Sequence, residues 1–128
     1  MRCIYRTSSR HTDGTSLQGT LDVSFDSLRT TFGRPEKGSV DGKTDAEWYL
    51  EIVDTEGQKY VATIYNWKNG KNYLGDKGLR AEHITNWNIG GKDRRVVDLI
   101  KQYIIDYAVS ASMIWTKKGT DLIKRSYT

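Results

Sequence analysis

Two neighbouring segments constrain this chain more than anything else in it: AEWYLEIVD at 46–54 and KYVATIYNW at 59–67, joined by TEGQ. Both are rich in β-branched and aromatic residues, which suit the pleated, half-buried surface of a strand. A link this short, with a glycine in it, predicts an antiparallel hairpin. Side chains alternate across a strand, so Trp48, Leu50 and Ile52 share one face and Glu47, Tyr49 and Glu51 the other. In the second segment Val61, Thr63, Tyr65 and Trp67 oppose Ala62, Ile64 and Asn66. One face of the hairpin is expected to be packed and the other partly polar.

From Asp93 to about Val109 the period changes. Val96, Val97, Leu99, Ile100, Tyr103, Ile104, Tyr107 and Ala108 fall on one broad face of a helix, with Asp98, Lys101, Gln102 and Asp106 opposite. A shorter helix is predicted near residues 25–31, opened by Ser24 and stopped by Gly33 and Pro35. Before it, Ile4 and Tyr5 read as a strand, Thr12 to Thr15 as a turn, and Leu17 to Val23 as a second strand. Residues 34–45 read as a mobile surface connection, and 68–83 as a Gly-rich basic loop. ITNWNI at 84–89 reads as a short strand ending at Gly90-Gly91.

The fold class expected is α+β: an antiparallel β-sheet packed by one long C-terminal amphipathic helix, plus the short helix near 25–31. Residues 1–128 are expected to form a single domain, with 1–13 and 110–128 as extensions to a core of about 14–109. Trp48, Leu50, Ile52, Ile64, Val97, Ile100 and Ile104 are the expected core residues. The last segment is basic, with Lys117, Lys118, Lys124 and Arg125, and reads as a docked element or a tail that orders on binding.

Hydrophobic residues at 37% against 28% charged make a polar composition that still supports a packed core. The lone cysteine, Cys3, has no partner for an intrachain bridge. With no cationic apolar leader and no run long enough for a bilayer, the expected setting is a reducing cytoplasm and no membrane. The formal charge of +4 favours anionic partners without the excess of a dedicated nucleic-acid binder. Exposed edges of so small a sheet invite a homodimer.

Five motifs in order, GTSLQG (14–19), FGRP (32–35), AEW (46–48), VATIYNWKNGKNYLG (61–75) and ITNWNIGGK (84–92), resemble a family of small, uncharacterised proteins common in tailed-phage and other viral genomes. The resemblance covers roughly residues 14 to 105. It implies a viral origin, a location in the host cytoplasm and an accessory role. By analogy of context, that role is antagonism of a host defence factor.

The residues carry no recognisable catalytic apparatus. His11 and His83 are the only histidines, and there is no CxxC, HxxxH, G-x-S-x-G, phosphate-binding or dinucleotide-binding glycine motif. No catalytic residue, metal or cofactor is expected, and Glu47, Glu51 and Asp54 read as the solvated side of a strand. The most suggestive segment is NWNIGGKDRR, where two glycines join a strand to a helix. Gly90 and Gly91 allow close approach of an anion to the backbone, the helix start is positive, and Lys92, Arg94 and Arg95 add charge. The plainer reading makes the glycines a tight turn, with Asp93 capping the helix.

Aromatic residues interleaved with lysines supply a second candidate. Tyr65, Trp67, Tyr73 and Trp87 lie near Lys68, Lys71, Lys77 and Arg80, as in a base-stacking platform. Alternate strand aromatics more simply belong to a core, which is the preferred reading of Tyr65 and Trp67. Tyr73, in a loop, is the better candidate for ligand contact. The expected function is thus a non-enzymatic binding protein that binds a host protein or sequesters a small anionic nucleotide. Nucleic-acid binding through the basic loops and tail is the alternative, and a virion structural or assembly role a further one. The identity of the partner is not legible in the residues.

Overall fold

A computed structural model describes residues 3–119, with side chains to 111; the basic residues Lys124 and Arg125 lie outside the described residues. The elements are β1 (Cys3–Arg6), β2 (Ser16–Leu21), α1 (Phe25–Phe32), β3 (Glu36–Lys37), β4 (Ala46–Val53), β5 (Lys59–Tyr65), α2 (Lys71–Leu74), β6 (Trp87–Gly91) and α3 (Arg95–Gly119). The fold is α+β. All strands belong to one antiparallel sheet of order β1-β4-β5-β6-β2, and β3 pairs with the start of β4. No helix among the described residues is long and apolar enough to cross a membrane.

The hairpin forms as its composition dictates, and its register decides which face is inward. Trp48 pairs with Ile64 and Leu50 with Ala62, while Glu47 pairs with Tyr65 and Tyr49 with Thr63. Directly opposed residues share a face. The apolar set therefore gathers on one side, where Trp48, Leu50, Ile52, Ala62 and Ile64 are fully buried under α1 and α3. Ile100 and Ile104 from α3 are buried against it; Val96 is buried too, whereas Val97 is only partly so. The expected place of Val97 in the centre thus goes to its neighbour Val96, one helical step of about 100° around the axis.

At the centre of the core Trp48 and Trp87 meet edge to face with ring centroids 5.4 Å apart, and Phe25 of α1 packs on both at 6.0 and 6.2 Å. Both indole N–H groups donate to backbone carbonyls, Trp48 to Gly33 at 2.8 Å and Trp87 to Val23 at 3.1 Å. α1 begins where Ser24 Oγ accepts from the Ser27 N–H at 3.0 Å, and ends at Gly33, whose φ of 90° suits glycine. Ser24→Ala should lower stability by about 1 kcal/mol through loss of this cap. Urea denaturation that leaves the midpoint unchanged would show that the cap contributes nothing.

Residues 34–45, expected to be a mobile connection, are instead tied down. Thr44 is buried, its Oγ1 accepting from the Ser39 N–H at 2.7 Å, and Asp41 Oδ1 accepts from Ser39 Oγ at 2.6 Å. The polar residues that suggested mobility satisfy one another locally. At the other end, α3 continues beyond Val109 to Gly119.

The strand order has a topological consequence. β1 and β2 are consecutive in sequence but lie on opposite edges, four inter-strand spacings or roughly 19 Å apart. Residues 7–15 must cross the sheet, and α1 and α3 occupy one face. They cross the other. His11 Nε2 lies 2.9 Å from Glu51 Oε2, which projects from that open face, and Thr12 is buried in the crossing. Turn bonds from Thr12 N to Ser9 O and from Asp13 N to Arg10 O give this strap its shape.

Candidate functional site

The strap divides the open face into two hollows. The upper one, about 390 Å³, has β4 and β5 side chains as its floor, with Glu47, Tyr49, Thr63 and Tyr65 in its lining. Gly90 completes the floor, since a Cβ there would lie 2.4 Å from Thr63 Oγ1 and 3.5 Å from Tyr65 Cε1. Glycine keeps this space open. The Gly14 end of the strap forms one wall and the Ser39–Thr44 loop another, and Trp67 stands at the upper rim.

Glu47 is the organising group. Its Oε1 accepts from the Tyr49 hydroxyl at 2.5 Å and its Oε2 from Thr44 Oγ1 at 2.6 Å. Burial, and then the hydrogen bond to Glu47, push the Tyr49 phenol well above its ordinary pKa. Burial likewise raises Tyr65, helped by the Glu47 charge. Both phenols therefore stay protonated donors through the neutral range. Asp13 and Asp41 also line this hollow, while among the described residues no lysine or arginine does. Its walls suit hydroxyl and amino groups rather than a bare phosphate.

The lower hollow, about 490 Å³, lies among His11, Glu51, Lys59, Tyr60, Lys92 and Asp93. Lys92 extends along the strap, so that a Cβ on Gly14 would lie 3.5 Å from its Cε and 3.8 Å from its Nζ. A cation thus stands next to Gly14, a residue of the upper wall.

Of the six residues expected to form an anion site, Gly90, Gly91, Lys92, Arg94 and Arg95 stay together between the end of β6 and the start of α3, and Tyr73 lies apart from them. Gly90 and Gly91 lie inside the sheet, paired with β5 on one side and β2 on the other, and their backbone runs in ladders rather than in a phosphate loop. Gly91 is small because Val96 Cγ2 would lie 2.8 Å from its Cβ. The start of α3 is already served by a carboxylate: Asp93 Oδ1 accepts from the Arg95 N–H at 2.9 Å. Arg95 leans on that carboxylate at 3.5 Å and donates to the Tyr60 hydroxyl at 3.3 Å. Arg94 is exposed. Lys92 and Gly90 do share the open face. Tyr73 sits in α2, at the end of the sheet where β5 finishes, while the glycine-to-helix junction lies level with the start of β5.

Tyr65 and Trp67 are not core residues. The register that pairs Tyr65 with Glu47 turns both away from the helices, and Trp67 is 47% exposed. Trp87 is core, fully buried. Comparison with known protein families and with curated proteins returns no match. Sequence reasoning passed over Glu47 as part of a solvated strand side and singled out neither Tyr49 nor Thr63. The alternation did separate them from the core, but nothing local shows that a strap and a loop wall them in.

Proposed function

We propose that this chain is a non-catalytic binding protein that holds a small nucleotide on the open face of its sheet. The observation that carries the reading is the adjacency of a hydroxyl- and carboxylate-lined hollow to a lysine across Gly14 alone. A sugar presents hydroxyls to Glu47 and the threonines, a base finds the ring of Tyr65, and a phosphate reaches Lys92. The volume of about 390 Å³ is in the usual range for a small-molecule site. The resemblance of the motifs to small viral proteins supports a role in withdrawing such a ligand from a host system. Cations thus remain part of the reading, with Lys92 as the contact and Arg94 and Arg95 outside it.

Calorimetric titration of adenosine and adenosine monophosphate into the protein tests this. Lys92→Ala should weaken the nucleotide about tenfold or more, the loss of one charge-assisted contact, and leave the nucleoside unchanged. Glu47→Gln should weaken both. Equal affinities of wild type and both variants, or no binding of either ligand, would sink the proposal.

A further inference from the structure

The aromatic and basic residues beyond the upper rim form a second surface. Trp67 and Tyr73 are each 47% exposed, and Lys68 Nζ lies 5.6 Å from the Trp67 ring centroid and 5.5 Å from that of Tyr73. Lys43 Nζ stands 5.7 Å from the Trp67 ring. Trp67 also meets Tyr65 edge-on at 6.2 Å, which links this surface to the hollow.

A backbone observation points independently to the same spot. Among the described residues, Lys68 is the only one other than glycine with a positive φ, 59°. That region costs energy for any residue with a Cβ, and Asn or Gly would occupy it more easily. Strain of this kind persists where the surrounding structure enforces it and gathers at ligand sites. Here the Lys68 N–H donates to the Lys43 carbonyl at 2.7 Å. Beneath, Asp45 Oδ2 accepts from the Asn72 N–H at 3.0 Å and Asp45 Oδ1 from Asn66 Nδ2 at 2.9 Å. The platform is built on a hydrogen-bonded base rather than on a loose loop.

We infer that Trp67, Lys68 and Tyr73 form a second base-and-phosphate subsite, so that the ligand of the upper hollow is a free dinucleotide. The inference rests on the reading of that hollow as the first nucleotide subsite. An incoming base displaces an ammonium from a ring face, and the lysine, on its flexible stem, turns to the phosphate beside the base. The strap bounds the hollow at its lower end with Thr12 buried in it, which favours two nucleotides between strap and Tyr73 over a strand threading through.

The test compares adenosine monophosphate, the linear dinucleotide pApA and a ten-residue oligoadenylate by calorimetry. Wild type should bind pApA at least tenfold tighter than the mononucleotide. Tyr73→Ala and Lys68→Gly should each shrink that gap below threefold without changing mononucleotide affinity. Lys68→Gly should also melt no lower than wild type, because glycine adopts the positive φ without strain. Equal binding of pApA and the mononucleotide by wild type would overturn the inference, as would a full gap in both variants. Tighter binding of the ten-mer than of pApA would overturn the free dinucleotide as the ligand. Binding of pApA that depends on Tyr73, with no binding of the mononucleotide, would support the platform and overturn the reading of the hollow.

Discussion

Trp48→Ala should destabilise the protein by about 3–5 kcal/mol, the range for emptying a fully buried aromatic site. The ring is completely buried, touches Trp87 and Phe25, and its N–H satisfies the Gly33 carbonyl at the end of α1. Truncation leaves a cavity between sheet and helix and removes the donor to that carbonyl. Relaxation cannot easily close the gap, because Trp87 is held from the other side by its own bond to Val23. Domains of this size have a total stability of about 5–15 kcal/mol, so a substantial unfolded population is expected at moderate temperature. Urea denaturation should show a large drop in midpoint at constant slope. A loss below about 1 kcal/mol would mean that the two tryptophans do not form the centre of the core.

Asn66→Ala should cost about 2–6 kcal/mol, although it removes only a small polar group. Asn66 is fully buried, and its amide is saturated: Oδ1 accepts from the N–H groups of Asp45 and Ala46 at 2.7 and 3.1 Å, and Nδ2 donates to Asp45 Oδ1 and Asn69 Oδ1 at 2.9 and 3.0 Å. Alanine orphans two backbone donors at the start of β4, each costing about 1–3 kcal/mol where water cannot replace the partner. The same amide anchors the base of the platform, so pApA binding should fall together with stability. A variant as stable as wild type would show that water substitutes for the side chain. Such a result would remove the structural basis for a rigid Trp67–Tyr73 surface.

Much of the fold was legible because its signals are local. Period-two alternation defined β4 and β5, the helical period defined the packed part of α3, and Ser24 with Gly33 bounded α1. The apolar residues of these elements identified most of the core, since a residue's face follows from its spacing alone. The candidate site was legible only in fragments. Lys92, Gly90 and Tyr73 were singled out as parts of an anion site, yet two of them lie on the open face of the sheet and the third at its far end. The placement of Tyr65 and Trp67 in the core failed because alternation says which residues share a face, not which face meets the helices.

By itself, then, the sequence determined the hairpin, the two packing helices and the apolar set they bury, because backbone sterics and side-chain period act between near neighbours. Tertiary structure alone decided the rest. The separation of β1 and β2 to opposite edges sends residues 7–15 over the open face, and the Trp48–Ile64 register turns Tyr65 toward Glu47. Glycines 90 and 91, which read as a strand-to-helix turn open to an anion, become the clearances beneath Thr63 and Val96. Each of these depends on pairing between residues far apart in the chain, and no local preference encodes which strands will be neighbours.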